Sequence, residues 1–277
     1  MALPEAPVCG FALQLLAEST VTRYTSPMPL LLGVNIDHIA TLRQARYAQT
    51  PDSPNAEPSP LLAAMDAMAG GADSLTLHVR GDRRHMQDAD AFRIRAEVPL
   101  PLNFEMGVTE EMVGIALRLK PDFACFVPES REEITTEGGL DVATHFTQTQ
   151  AAVTRLQEAG IRVSLFIDPD LHQVEAAARS GARMIELHTG CFANAFDAAR
   201  TAELARLAAA AALAHQSGLQ VNAGHGLNYT NLTELWAVPH LAELNIGHSI
   251  VALALRCGLT EAVRRMKTLM ASYPAAP

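Results

Sequence analysis

Aromatic and charged side chains are both scarce in this sequence of 277 residues. Aromatic residues make up 5% of the chain and charged residues 18%, whereas hydrophobic residues make up 49%. Globular domains usually contain about 25% charged residues. The hydrophobic share excludes a disordered or fibrous protein. The core must be aliphatic, and a chain of this length buries enough apolar surface to fold without disulfides or metal ions.

Cysteine pairs, basic runs and long apolar segments are also missing. The four cysteines occur singly, which predicts reduced thiols of a cytoplasmic protein and not a disulfide framework or zinc knuckle. Acidic residues outnumber basic ones by 30 to 21, which argues against a nucleic-acid partner. No segment approaches the about 20 apolar residues of a membrane span, and the apolar piece 11–17 lacks the basic start of a signal peptide. We therefore expect no membrane association.

Eight short apolar runs recur along the chain, and a segment with helical spacing follows each of them. Thr109 and Asp170 are candidate N-caps of two such helices, which Pro121 and Gly181 would end. Nearly continuous apolar strands that alternate with helices predict a parallel sheet covered on both faces. The predicted strands span 30–37, 74–79, 100–106, 123–128, 162–168, 184–189, 220–224 and 243–248.

Eight strand–helix units predict an α/β fold, a single-domain (β/α)8 TIM barrel with parallel strands, because that fold needs about 250 residues. An open, doubly wound sheet is the alternative, since periodicity does not show whether a sheet closes. The first strand runs into Asn35-Ile-Asp37-His38 and not into a glycine-rich dinucleotide fingerprint, which disfavours a nicotinamide or flavin enzyme. We assign 30–277 to the barrel, 1–29 to an accessory extension, and the proline-rich stretch 47–60 to a loop.

Polar residues lie at the carboxyl ends of the predicted strands, the rim where barrel enzymes keep their active sites. A single histidine at a strand end is usually structural, but five of the ten histidines lie on this rim, which favours a functional site. The rim residues in chain order are Asn35, Asp37, His38, His78, Arg80, Asn103, Glu105, Glu129, Asp168, Glu186, His188, Asn222, His225, Asn245 and His248.

Two glycine loops and two groups of cations indicate binding of two phosphate groups. The loops 222–226 and 245–248 would bring backbone N–H groups to an anion, although their glycines could also serve tight turns only. The cations follow the first two strands and are Arg43, Arg46, Arg80, Arg83, Arg84 and His85. Pairing of some of these arginines with Asp82, Asp88 and Asp90 is the alternative.

Glu105 is the candidate general base, because burial between Phe104 and Met106 would raise the pKa of its carboxyl group. A salt bridge to an arginine is the alternative. A metal-dependent hydrolase or aldolase acting on a sugar phosphate is a second functional hypothesis, although the chain lacks closely spaced histidine ligands. A phosphometabolite-binding scaffold is a third. The metal hypothesis would use Asp37, His38, His78, Glu105, His188 and His225.

The motifs GVNIDHIATLRQAR, LHVRGDRRHM, NFEMGVTEEM, VPESREEITTEGGLDV, VSLFIDPD, IELHTGCF, VNAGHGLNY and ELNIGHSIV closely resemble the pyridoxine 5′-phosphate synthase family over about residues 30–270. The resemblance implies a cytoplasmic transferase of vitamin B6 biosynthesis with the TIM-barrel fold, no metal, no cofactor and a homo-octameric assembly. It implies condensation of 1-deoxy-D-xylulose 5-phosphate with 3-amino-2-oxopropyl phosphate, which yields pyridoxine 5′-phosphate, phosphate and water.

The resemblance also implies roles for individual residues. Matched catalytic positions are His78, Glu105 and His225, with Glu186 as a transition-state stabiliser. Positions matched to binding of the amino-ketone phosphate are Asn35, Arg46, Gly226, Gly247 and His248. Positions matched to binding of deoxyxylulose phosphate are Asp37, His38, Arg80, His85 and Thr135. The extension and the proline-rich loop depart from the family pattern.

Overall fold

A computed structural model describes residues 29–129 and 138–274 of the chain. Within these residues, eight strands pair in parallel in sequence order, and the pairing of the last strand with the first closes the barrel. This closure confirms the TIM barrel and rejects the open sheet. The strands are β1 Leu31–Asn35, β2 Ser74–His78, β3 Leu102–Met106, β4 Phe123–Phe126, β5 Arg162–Ile167, β6 Met184–His188, β7 Gln220–Gly224 and β8 Leu241–Ile246.

Helices follow the strands and cover the outside of the barrel. The hydroxyl of Thr109 accepts a hydrogen bond from the N–H of Met112, and the carboxylate of Asp170 caps the helix that follows it, as predicted. None of the helices in the described ranges is long and apolar enough to cross a membrane. They are α1 Asp37–Tyr47, α2 Pro60–Gly70, α3 Asp88–Glu97, α4 Glu110–Leu119, α5 Phe146–Glu158, α6 Leu171–Arg179, α7 Gly190–Asn194, α8 Asp197–Gln216, α9 His248–Cys257 and α10 Leu259–Met270, with a 3-10 helix at Leu232–Ala237.

The core of the barrel differs between its two sides. Outside, aliphatic strand residues such as Leu32, Val34 and Leu77 are fully buried against the helices. Inside, polar side chains bond to each other across the barrel. The hydroxyl of Thr76 on β2 donates to Asn245 Oδ1 on β8 at 2.9 Å, although β1 lies between these two strands. Such a contact can form only in the barrel interior. The interior therefore contains hydrogen-bonded polar side chains and is not purely apolar.

Close packing inside the barrel explains one glycine of β1. A Cβ atom on Gly33 would lie 2.0 Å from Asn245 Oδ1, which is far inside van der Waals contact. Glu243 accepts a hydrogen bond from the Ser74 hydroxyl on the same level of the barrel. The absence of a side chain at Gly33 therefore provides the space in which side chains from β2 and β8 contact each other.

The structure bears on the predicted end of the first strand and on the predicted loop after Tyr47. Asp37 and His38, predicted at the end of the first strand, lie in the first turn of α1 because the helix begins without a loop. The proline-rich stretch after Tyr47 lies between α1 and α2, as predicted. The proposed accessory extension falls outside the described residues except for Pro29, so its assignment stays a prediction.

Candidate active site

Glu105 occupies the mouth of the barrel on β3, where its side chain is partly buried. Burial raises the pKa of its carboxyl group well above the usual range, and the charges of Asp37 and Glu186 raise it further. Among the described residues only Asn35 is hydrogen-bonded to this carboxyl group, at 3.5 Å from Nδ2 to Oε2. The alternative of an arginine salt bridge is therefore not seen there, and the expected direction of the pKa is confirmed.

The side chain of Asp37, the first residue of α1, is hydrogen-bonded to the end of β2. Its Oδ1 atom accepts a hydrogen bond from the backbone N–H of His78 at 2.8 Å, and its Oδ2 atom accepts one from Asn35 Nδ2 at 2.9 Å. The Asn35 side chain in turn accepts from the Asp37 N–H. These bonds hold two predicted substrate-binding residues and one predicted catalytic residue in a single cluster.

His78 is paired with a carboxylate that the sequence analysis placed on the rim but gave no role. Its Nε2 atom lies 2.8 Å from Oε1 of Glu129, which follows β4. On the other side, the rings of His78 and His85 meet edge to face with centroids 6.0 Å apart. The available signal for Glu129 was its position at a strand end, which did not reveal the contact with His78.

Glu186 is buried inside the barrel on β6. Burial, aided by the charge of Glu243 and opposed by the hydrogen bond from Asn245, raises the pKa of its carboxyl group to about 8. The Asn245 amide donates to Oε2 at 2.6 Å. Glu186 is therefore held at a fixed position, and its raised pKa favours the protonated carboxyl group.

His225 lies on the opposite side of the mouth in a strained backbone conformation. Its φ of 81° and that of Gly226, 78°, are both left-handed, which is unusual for a histidine. The hydroxyl oxygen of Thr189 lies 2.7 Å from the carbonyl oxygen of Gly224 and 2.6 Å from that of His225, so its single proton is shared between two acceptors of this turn. A glycine would adopt this backbone conformation more easily, so the presence of a histidine here points to a functional role of its side chain.

The surroundings of the His225 imidazole disfavour its charged form. Burial, together with the neighbouring His188 and His38, lowers its pKa to about 4. The rings of His188 and His225 lie 5.1 Å apart, and Asp168 binds Nδ1 of His188 at 2.9 Å. A phosphate bound next to His225 would raise its pKa, because an anion favours the charged imidazolium.

The residues matched to the two substrates meet where β8 pairs with β1. The Nδ1 atoms of His38 and His248 lie 2.9 Å apart. Gly247 packs against Asn35, since a Cβ atom on this glycine would lie 3.0 Å from the Asn35 side chain. The structure therefore brings together predicted residues of both binding groups.

The arginines divide into two groups. Arg43 is buried and forms two bonds to Asp90, of 2.7 and 2.8 Å, so it is not available for a phosphate. Arg83 binds Asp88 and Arg84 binds Asp82, which confirms the alternative of pairing with these aspartates. Arg80 is buried next to the rim, and Arg46 is exposed on the last turn of α1. Among the described residues no hydrogen bond joins Arg46 to the site.

Two predictions about ligands remain. Thr135 lies outside the described residues, so its predicted role in binding is not addressed by the structure. In the part of the chain that the structure describes, no group of three or more His, Cys, Asp or Glu side chains is arranged to hold a metal ion. The six residues of the metal hypothesis do not form such a group.

Comparison with known proteins adds a second kind of observation. A family model described as "Pyridoxal phosphate biosynthesis protein PdxJ" matches residues 32–272. The chain is 66% identical over 239 residues to a pyridoxine 5′-phosphate synthase of Akkermansia muciniphila, which spans 86% of this chain and 97% of that protein. It is 52% identical over 245 residues to a protein of the same name from Opitutus terrae, spanning 87% and 99%.

Solved structures with little sequence similarity have the same fold. KGPDC from Streptococcus mutans superposes with a TM-score of 0.58 at 12% identity, over 89% of this chain and 99% of that one. Thiamine phosphate pyrophosphorylase from Pyrococcus furiosus superposes with a TM-score of 0.55 at 14% identity, over 87% and 95%. At this level of identity the likeness concerns the barrel and not the reaction.

Proposed function

The chain belongs to the pyridoxine 5′-phosphate synthase family of vitamin B6 biosynthesis, and from this premise we propose its substrates and the roles of its site residues. The substrates are 1-deoxy-D-xylulose 5-phosphate and 3-amino-2-oxopropyl phosphate. The products are pyridoxine 5′-phosphate, inorganic phosphate and water. The family match does not favour the metal-dependent alternative, and the proposal assigns no metal or cofactor.

The observation that carries the proposal is the contrast between carboxyl and imidazole groups at one barrel mouth. Burial raises the pKa of Glu105 and Glu186 and lowers that of His225. A raised pKa makes an ionised carboxylate a stronger base, and a lowered pKa makes an imidazolium a stronger acid. Condensation of an amine with a ketone, followed by loss of phosphate and water, needs several positioned acids and bases of this kind.

Each catalytic residue has one role in the proposal. Glu105 and His78 abstract protons next to carbonyl carbons, and Glu186 stabilises the transition state from its fixed position. His225 protonates a leaving oxygen. Because its surroundings lower its pKa to about 4, His225 acts as an acid once a substrate phosphate has raised that pKa.

Substrate binding divides the rim into two groups. Asn35, Arg46, Gly226, Gly247 and His248 bind the amino-ketone phosphate, and Asp37, His38, Arg80, His85 and Thr135 bind deoxyxylulose phosphate. The contacts of Asn35 with Asp37, and of His38 with His248, support a shared boundary between the groups. We further propose a homo-octamer in the cytoplasm, with residues 30–277 as the catalytic barrel and 1–29 as an accessory extension.

The decisive experiment mixes the purified protein with both substrates. We expect pyridoxine 5′-phosphate, identified by its absorbance and mass, together with one inorganic phosphate per product. Reactions that lack either substrate serve as controls. Absence of the product from the complete mixture would overturn the proposal, and loss of turnover on chelation with EDTA would revive the metal-dependent alternative.

A further inference from the structure

Three nitrogen atoms, two from the end of β2 and the residues just after it and one from the segment after β3, converge on the carboxylate of Glu129. Oε1 lies 2.8 Å from His78 Nε2 and 3.2 Å from the backbone nitrogen of Gly107, and Oε2 lies 3.0 Å from the backbone nitrogen of Gly81. The Glu129 side chain is 19% exposed. One carboxylate therefore connects the segments that follow β2, β3 and β4.

The two glycines leave room for this carboxylate. A Cβ atom on Gly107 would lie 3.0 Å from the Glu129 carboxyl carbon, and one on Gly81 would lie 3.2 Å from Oε2. Both distances are tighter than ordinary van der Waals contact. The backbone on either side of Glu129 is thus shaped to admit its carboxyl group.

The position of Glu129 suits a side chain that can accept hydrogen bonds at both of its terminal atoms. An ionised carboxylate accepts hydrogen bonds on both oxygens, whereas an amide has an acceptor on one side and a donor on the other. Burial opposes ionisation of Glu129, but the hydrogen bonds from His78 and Gly81 outweigh it and lower the pKa of its carboxyl group. The site is therefore built for a carboxylate and not for an uncharged side chain of the same shape.

The contact also determines the tautomer of His78. A neutral imidazole that faces a carboxylate with Nε2 carries its proton there, so Nδ1 keeps the basic lone pair. We propose that Glu129 is a positioning residue that holds His78 with Nδ1 as the proton acceptor for the condensation. This inference rests on the proposed function, because it takes His78 to be a base in that reaction.

Glu129→Gln tests the proposal. The amide must present its NH2 group either to Gly81 or to His78, and in the second case it favours the wrong tautomer. Loss of a residue that orients a catalytic group typically costs about 10- to 100-fold in activity. We expect kcat to fall by about this factor while KM for both substrates changes by less than about threefold. Glu110→Gln is the matched control, since Glu110 on α4 is an exposed carboxylate that is paired with Arg155 on α5.

Glu129→Ala adds a readout that a purely structural role would not give. Formate can occupy the vacated space and accept the same N–H groups, so we expect added formate to restore part of kcat in this variant. Formate should not restore activity to His78→Ala, which lacks the imidazole. A crystal structure of Glu129→Gln would show whether the His78 ring has rotated.

The outcomes separate the two hypotheses. If the wild-type protein forms no pyridoxine 5′-phosphate, the proposed function fails, and the ring orientation in the crystal structure still tests the Glu129 contact. If the wild type is active and Glu129→Gln retains full kcat, the positioning role is overturned. It is also overturned if kcat falls in parallel with the melting temperature and formate restores nothing, because the residue would then only stabilise the fold.

Discussion

His38 and His248 share one hydrogen bond across the line where the barrel closes. Their Nδ1 atoms are 2.9 Å apart and their rings are nearly perpendicular, at 81°. Such a contact requires a proton on one Nδ1 atom and none on the other. Burial lowers the pKa of His38, as does His248, while Asp37 opposes them. The His248 ring therefore contributes to the lowered pKa of His38, and each ring belongs to a different proposed substrate group.

Removing this bond should affect both substrates. We expect His248→Asn to weaken the amino-ketone phosphate directly and deoxyxylulose phosphate indirectly, through His38. Loss of one neutral hydrogen bond of about 0.5–1.5 kcal/mol corresponds to roughly 2- to 12-fold in the affinity for deoxyxylulose phosphate. Calorimetric titration with each substrate separately measures both effects. An unchanged affinity for deoxyxylulose phosphate would show that the two groups are independent.

Replacing Glu105 with glutamine should abolish the base and keep the shape of the side chain. We expect turnover of Glu105→Gln to fall on the order of 10²–10⁴-fold, with substrate binding little changed. Steady-state kinetics and calorimetry measure the two quantities, and Glu110→Gln is the control for a carboxylate outside the site. Turnover close to that of the wild type would remove Glu105 from the mechanism.

Glu186 predicts how stability depends on pH. Its pKa is raised from 4.5 to about 8 in the folded protein, so between these values the unfolded chain loses a proton that the folded chain keeps. The contribution of this group to stability is complete below pH 4.5 and falls as the pH rises towards 8. Glutamine cannot ionise but can still accept from Asn245.

The corresponding measurement is urea unfolding of wild type and Glu186→Gln at two pH values. We expect the free energy of unfolding of the variant, relative to the wild type, to be higher at about pH 8 than at about pH 5. Glu110→Gln should show no such difference. A constant offset between Glu186→Gln and the wild type at both pH values would contradict the raised pKa.

Two arginines test the division of the rim. Replacement by methionine removes a charged hydrogen-bond donor of about 1.5–3 kcal/mol, or roughly 10- to 150-fold in affinity. Arg46→Met should weaken mainly the amino-ketone phosphate, and Arg80→Met mainly deoxyxylulose phosphate, in separate titrations. Arg155→Met, on the exposed pair with Glu110, is the control for a general loss of positive charge. Equal weakening of both ligands by both variants would refute the assignment.

A shortened chain tests the proposed domain boundary. The family match begins at residue 32 and β1 begins at Leu31, so we expect a protein that starts at Met28 to fold and to turn over like the full chain. Circular dichroism and the synthase assay on the two proteins make the comparison. An insoluble or inactive shortened protein would show that the preceding residues are part of the catalytic unit.

The fold could be read from the sequence because each strand is an apolar run of its own. Seven of the eight predicted runs contain a whole strand, the eighth overlaps one, and the caps at Thr109 and Asp170 form as expected. The boundary of the last strand was less accurate, since β8 begins at Leu241 and ends at Ile246. Gly247 is the N-cap of α9 and His248 its first residue, because the helix follows the strand without a loop.

The site was only partly predictable, because its pairings connect distant parts of the chain. Strand ends indicated where Glu105, His78 and His225 lie, and burial indicated the direction of the Glu105 pKa. The contact between His78 and Glu129 joins residues 51 positions apart and passes over β3. Similarly, the salt bridge between Arg43 and Asp90 joins residues 47 positions apart. No local pattern of residues encodes such partners.

The hydrogen bonds of Asn245 couple several positions of the barrel interior to one another. Its amide group accepts from Thr76 at one end and donates to Glu186 at the other, and Gly33 provides the space that it fills. Substitutions at contacting positions have strongly non-additive effects. Variants at positions 33, 76, 186 and 245 should therefore be tolerated in combinations and rarely one at a time. Directed evolution of this barrel would need to change its interior by sets of residues, while the helices outside could vary singly.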